Sequence, residues 1–238
     1  MDDEIVKKPT LVLGSGLLCD AKIWIHQRKQ LSDFARIQIA DTFQDDNLQA
    51  MALRLLDSAP PTFMYAGFSM GGYLGFELFR QAPDRISRLA LLSTTARPDA
   101  EKHIKLRKQF IEMTLRGEFE QAVTQNLDIY LNPEMANDSV WREQIGAMAR
   151  KVGPDVYMRQ LHAIVNRPDS ASLLPSIDVP TLIICGCNDQ LTTVTRHQEM
   201  AEHIPDAQLH ILDNARHFIT LEQPEMVTSL LGIWINAE

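Results

Sequence analysis

The spacing of apolar positions changes several times along this chain, and each change marks an element. Residues 10–13 form a short apolar run after Pro9, closed by Gly14, Ser15 and Gly16, which reads as a buried strand entering a tight loop. Asp20 is placed to cap a helix reaching about Leu31, and residues 36–40 alternate as a second strand that ends at Asp41. Leu48, Met51, Ala52 and Leu55 recur at helical spacing. The apolar run 62–66 predicts a third strand, and residues 70–81 a helix that Pro83 ends. Gly71 and Gly75 lie one turn apart on that helix, so one of its faces can approach a sheet closely. Residues 89–92 predict a fourth strand.

From residue 97 the strand pattern stops. Helical runs at 104–115, 119–130, 140–151 and 155–165 fill the chain to Leu174. The strand pattern resumes at 180–186, followed by a helix at 193–203, a last strand at 207–212 and a terminal helix at about 222–235. Alternating strands and helices predict an α/β fold with a mostly parallel sheet. The expected division is a core of residues 1–96 and 175–238, with residues 97–174 inserted as an all-helical cap.

Charge sharpens this division. The chain of 238 residues carries a formal net charge of −8, yet the segment 97–175 holds 11 Lys/Arg against 11 Asp/Glu, so the remainder, with 12 against 20, carries all of it. An acidic surface argues against nucleic acid or an anionic membrane as partner. Cys19, Cys185 and Cys187 cannot all pair, and the latter two point to opposite faces of a strand, which favours a reducing compartment. Residues 1–4 are acidic where a secretory signal would be basic, and no apolar run is long enough to span a bilayer, so the expectation is a cytoplasmic protein. No metal-ligand spacing such as HExxH or CxxC occurs, and no metal or cofactor is expected.

The chemistry centres on Gly67-Phe68-Ser69-Met70-Gly71-Gly72, between the third strand and its helix. A serine hydroxyl can attack a carbonyl only if it stands clear of the backbone, and a sharp strand-to-helix turn with flanking glycines achieves this. It also needs a histidine to take its proton and a carboxylate to orient that histidine. Of His26, His103, His162, His197, His203, His210 and His217, the last lies in the loop after the final strand, at the same sheet end as the serine.

In these motifs the chain resembles the α/β-hydrolases. Ser69 in the Gly-x-Ser-x-Gly elbow, Asp189 in Gly186-Cys187-Asn188-Asp189 and His217 in Ala215-Arg216-His217-Phe218 follow the family order of nucleophile, acid and histidine. The resemblance implies backbone oxyanion donors at Met70 and, from the loop Gly14-Ser15-Gly16-Leu17, at Leu17; Ser15 stands where the family often has histidine. The family often begins with two further edge strands, and with nine residues before Thr10 the expected sheet has about six strands. Asp99 and Asp213 are alternative acids. Arg216 reads as a solvated charge or as a cation at the pocket mouth. Arg159 and Arg167 are candidate carboxylate binders, although Arg167 near a helix end also suits the helix dipole, and Phe110, Met113, Phe119, Tyr130, Met148, Tyr157 and Met158 are candidates to line an apolar pocket, most of them expected instead to form the core of the cap. The implied activity is hydrolysis of a small-molecule carboxylic ester, with a thioesterase, a carbon–carbon bond hydrolase or a non-catalytic ligand-binding member as alternatives.

Overall fold

The computed structural model describes residues 8–131 and 137–237; the acidic residues 1–4 lie outside them. Six strands, β1 (Thr10–Gly14), β2 (Arg36–Ile39), β3 (Phe63–Phe68), β4 (Ile86–Leu92), β5 (Thr181–Gly186) and β6 (Ala207–Leu212), form one sheet in the order β2-β1-β3-β4-β5-β6. Every neighbouring pair is parallel. The inner strands β3 and β5 are buried along their whole length, whereas β2 and β6 at the edges are partly exposed, which is why only the inner ones read as continuous apolar runs. β4 starts three residues before the run 89–92 because Ser87 and Arg88 interrupt its apolar pattern.

Successive residues of a strand serve opposite faces. Leu11 and Leu13 pack with Trp24, Leu31 and Leu231 on one face; Val12 packs with Met51, Leu55 and Leu74 on the other. The helices involved are α1 (Ile25–Leu31), α2 (Leu48–Ser58) and α3 (Met70–Gln81). Asp20 does cap the turn ahead of α1, accepting from the Lys22 N–H at 2.8 Å.

Between β4 and β5 the chain forms α4 (Glu101–Leu115), α5 (Phe119–Tyr130), α6 (Ser139–Val152) and α7 (Pro154–Val165). Asp138 caps α6 through the Val140 and Trp141 N–H groups, and Gly153 at φ 83° followed by Pro154 separates α6 from α7. Buried Phe110, Val123, Ile145 and Tyr157 from these helices share one hydrophobic cluster with Phe68 and Phe218. After β5 come α8 (Val194–His203) and, beyond β6, α9 (Ile219–Glu222) and α10 (Pro224–Asn236). The terminal helix expected at about 222–235 is α10, which starts at Pro224 because proline suits a first turn; the short α9 ahead of it is a further element.

Sheet order places the functional loops. From β1 the chain moves outward to β2, and from β3 it moves the other way to β4, so the carboxyl ends of β1 and β3 flank the crevice where ligands collect in open α/β sheets. The turn after β3 fits there only without side chains. A Cβ on Gly71 would lie 2.2 Å from the Gly14 carbonyl oxygen, and one on Gly67 2.3 Å from the Gly71 carbonyl oxygen. Gly71→Ala is expected to lower the unfolding free energy by about 3 kcal/mol, since backbone must move. Gly232→Ala, in α10 with its nearest neighbour at 3.7 Å, should instead raise it by about 0.5–1 kcal/mol. Urea unfolding of both variants checks the pair.

Candidate active site

Ser69 occupies the turn between β3 and α3 with φ 54° and ψ −112°, a conformation that non-glycine residues adopt only when their surroundings impose it. Three bonds impose it here. The Ser69 N–H donates to Leu92 O at the end of β4 at 2.9 Å, and the Ser69 carbonyl accepts from the Gly72 N–H and from Thr94 Oγ1, each at 2.9 Å. The hydroxyl is thereby aimed at His217, whose Nε2 lies 2.9 Å from Ser69 Oγ. The other ring nitrogen, Nδ1, lies 2.8 Å from Asp189 Oδ2. A carboxylate can only accept, so Nδ1 carries the proton and Nε2 is free to accept from the serine hydroxyl. All three residues are buried.

Gly186 makes the acid and histidine loops meet. A Cβ there would lie 2.3 Å from Arg216 O, and the Asn188 N–H donates to Ala215 O at 2.9 Å across the same junction. Asp189 also accepts from the Leu191 N–H, the Thr192 N–H and the Thr192 hydroxyl at 2.7–3.0 Å. Burial alone would raise the pKa of this carboxyl; the charge and hydrogen bond of His217 and the Thr192 donors outweigh it and hold it at about 2. The alternative acids are elsewhere. Asp99 is clasped by Arg107 and, at 2.7 Å, by Arg167. Asp213 makes its contact through its backbone, where its carbonyl accepts from Gln223.

Leu17 lines the cavity beside Ser69, and neither the Leu17 nor the Met70 N–H has a hydrogen-bond partner among the described residues. The loop carrying Leu17 is held from an unexpected direction. Gln160 of α7, fully buried, accepts from the Leu18 N–H at 3.0 Å and donates to Thr42 O at 3.3 Å. Leu18 itself has φ 58°. Ser15 has a different role, its hydroxyl donating to Asp20 O at 3.4 Å.

The profile of the family described as alpha/beta hydrolase fold matches residues 22–224. The chain belongs to that family. It is 25% identical to RutD of Agrobacterium fabrum, a candidate carbamate hydrolase, over 97% of this chain and 94% of that one. It is also 25% identical to 3-oxoadipate enol-lactonase 2 of Acinetobacter baylyi, over 92% and 85%. Among solved structures, a thermophilic esterase from Thermogutta terrifontis superposes with a TM-score of 0.86 at 26% identity, covering 96% of this chain and 90% of the other.

Several residues that support the site in this α/β-hydrolase were not singled out from sequence. Glu222 of α9 accepts from the Arg216 N–H at 2.7 Å and from the Phe218 N–H at 2.9 Å, so one carboxylate grips the backbone on both sides of His217. Arg216 does not line the cavity: half-buried, it donates through its guanidinium to the Leu131 and Ile129 carbonyls at the end of α5, at 2.5 and 3.3 Å. His197 of α8 is fully buried, with Nε2 accepting from the Thr94 N–H at 3.1 Å and Nδ1 donating to Thr193 O at 3.0 Å. It therefore fixes Thr94, whose hydroxyl in turn holds the Ser69 carbonyl. In sequence, His197 shares helical spacing with apolar Met200, and that is the signal of its burial.

Above Ser69 lies a cavity, its wall mostly apolar, with Leu127, Ile145, Leu191 and Phe218 contributing. Of the seven candidate side chains only Tyr130 lines it; Phe110, Met148 and Tyr157 are buried among the helices, as the reading of most of them as helical core expected. Neither of the two candidate arginines lines it. Arg159 donates to Phe43 O at 2.9 Å, and Arg167 is tied to Asp99 and lies over the Tyr73 ring at 4.1 Å. The arginine on the cavity wall is Arg107.

Burial lowers the pKa of His197 from 6.5 to about 4. Folding holds the ring neutral, so the unfolded chain takes up the proton first, and this stability is present above pH 6.5 and is lost as pH falls toward 4. The loss amounts to about 3 kcal/mol at roughly 1.4 kcal/mol per pH unit. Urea unfolding at pH 7.5 and 4.5 should show this acid limb in the native protein and not in His197→Gln; equal slopes would mean that His197 does not cause it.

Proposed function

We propose that this α/β-hydrolase cleaves small-molecule carboxylic esters through an acyl-serine intermediate. The observation that carries the reading is the unbroken hydrogen-bond chain Ser69–His217–Asp189 at the floor of an apolar cavity. Ser69 Oγ attacks the ester carbonyl while its proton passes to His217 Nε2, and Asp189 stabilises the imidazolium that forms. Negative charge then develops on the former carbonyl oxygen, where the unpartnered Leu17 and Met70 N–H groups serve as donors. Collapse of this intermediate expels the alcohol, which takes the proton from His217. Water repeats the sequence on the acyl-serine and restores the hydroxyl. The proposed steps call on no metal or cofactor.

The relatives support ester-bond chemistry, since one is named as an enol-lactonase and a structural neighbour as an esterase. Residues 97–174 act in this reading as the cap that selects the acyl group, because α4, α5 and α6 supply much of the cavity wall. The reaction takes place in a reducing, cytoplasmic setting, the reading that also suits three unpaired cysteines.

A fluorophosphonate probe should label the protein once, at Ser69, and Ser69→Ala should abolish both labelling and turnover of phenyl acetate. Asp189→Asn should keep the labelled serine but lower kcat by about 10⁴-fold, as loss of the orienting acid does in serine proteases. Asp213→Asn is the control, with kcat near normal. Labelling that survives Ser69→Ala, or near-normal kcat in Asp189→Asn, would remove the assignment.

A second prediction concerns Gln160. Gln160→Leu leaves the Leu18 N–H without its acceptor and frees the loop that carries Leu17, so kcat should fall about 10²-fold with a smaller change in KM, on the scale of losing one oxyanion donor. Steady-state kinetics on phenyl acetate, with thermal unfolding to verify the fold, measure it.

A further inference from the structure

Arg107 sits in the wall of the proposed acyl cavity with only 4% of its surface exposed, and lines it together with Ser69 and His217. An arginine is almost never buried unless it is paired, because removing a guanidinium from water is costly. Arg107 is paired in part. Its Nε–H donates to Asp99, but Nη1 and Nη2 have no hydrogen-bond partner among the described residues, although both remain accessible. The hydroxyls of Tyr73 and Tyr130, which line the same cavity, are likewise accessible and unpartnered. Both rings lie near enough to Arg107 to act on its charge.

The charge count points the same way. Asp99 is shared between two buried arginines, Arg107 and Arg167, so this cluster carries a net positive charge. Arg167 has both terminal nitrogens engaged, by the Ile164 and Arg97 carbonyls and Asp99, and lies over the Tyr73 ring; its Nε is buried without a partner and so does not reach the cavity. The buried carboxylate behind His217, Asp189, already accepts from His217, Leu191 and Thr192 and offers Arg107 nothing. Asn126, on the cavity wall, has both amide hydrogens engaged by Ala122 O and Tyr157 Oη. Among the described residues, the side-chain donors left over around Arg107 are the two terminal nitrogens of its guanidinium and two phenols. A guanidinium edge presenting two parallel N–H groups matches a carboxylate.

We propose that the free edge of Arg107, with the Tyr73 and Tyr130 hydroxyls, binds a carboxylate at the far end of the acyl group, so that the substrate is a monoester or lactone of a dicarboxylic acid. This rests on the cavity being the acyl site. Asp99 is then a positioning residue: its bond to Nε turns the remaining edge toward the cavity, and Arg167 holds Asp99 in turn. The mostly apolar wall of the cavity that Arg107 and Ser69 both line suits the methylene chain joining the two carbonyl carbons of such an acid.

The test compares kcat/KM for the monophenyl esters of succinate, glutarate and adipate with phenyl esters of the neutral acids of equal chain length. The native protein should favour the charged ester at one length by about 10- to 100-fold, the worth of a charge-assisted hydrogen-bond pair, mainly through KM. In Arg107→Met that ratio should collapse toward one, and in Arg107→Lys it should lie between. Arg107→Met leaves a neutral Asp99–Arg167 pair, and thermal unfolding verifies its fold; should it not fold, Tyr130→Phe, expected to lower the ratio several-fold, takes its place. No preference at any length, or a preference that survives Arg107→Met or its replacement, overturns the subsite while the esterase reading stands. If no ester is turned over, the esterase reading fails instead, and calorimetry with glutarate and adipate decides the subsite. Binding that weakens at least tenfold in Arg107→Met supports it, and binding that is absent or unchanged overturns it.

Discussion

Everything at this site depends on how closely the β3–α3 turn approaches the end of β1. Gly14 and Gly67 are register partners across the two strands, and Gly71 presses against the Gly14 carbonyl where no side chain could fit. That contact brings the start of α3 and the loop after β1 within reach of one bound atom. It also fixes Ser69 in its left-handed conformation, since the turn has no room to relax. The residues beyond it, from β4, β5 and the loop after β6, then only have to meet a serine whose position is already set.

Two buried carboxylates show how partners assign different tasks to one residue type. Burial opposes the charge on both Asp99 and Asp189, and both are nevertheless held at about 2. For Asp189 the compensation comes from His217 and short-range donors of its own loop, which leaves the imidazole oriented and able to accept a proton. For Asp99 it comes from two arginines, so the acid is locked in a permanent ion cluster and has no proton chemistry to offer. Sequence position alone does not separate them, because each follows a strand of the same sheet; the neighbouring side chains do.

The elements were legible because most have one face that must be buried, and burial leaves a periodic trace. Leu48, Met51, Ala52 and Leu55 all turn inward as their spacing implied. The elbow, the acid loop and the histidine loop were legible because each combines a residue type with a strand end. The polar supports were not. Arg107 shares helical spacing with buried Phe110 and Thr114, and Gln160 lies among Tyr157, Leu161 and Ile164, yet a long polar side chain in a helix reads as solvated unless its partner is known. The partners of Gln160, Leu18 and Thr42, come from distant parts of the chain; Asp99 lies only eight residues before Arg107 but ahead of α4, outside the helical spacing that would pair them. Aromatic and methionine side chains follow the commoner reading: helices packed on one another need large side chains between them, so most of the candidates fill the helical layer itself and only Tyr130 reaches the cavity.

The bond between Gln160 and the Leu18 N–H crosses from the inserted helices to the loop on the sheet. Substrate recognition and charge stabilisation are commonly pictured as separable modules, one exchangeable over the other. In the proposed reading they share a side chain. On that reading a chimera that imports foreign helices between β4 and β5 would inherit a new acyl preference but lose the acceptor for Leu18, so its turnover would suffer for reasons unrelated to substrate fit. Restoring a glutamine at the equivalent point of the transplanted helix is the minimal graft, and an evolving lineage that diversified this insert would be held to the same residue.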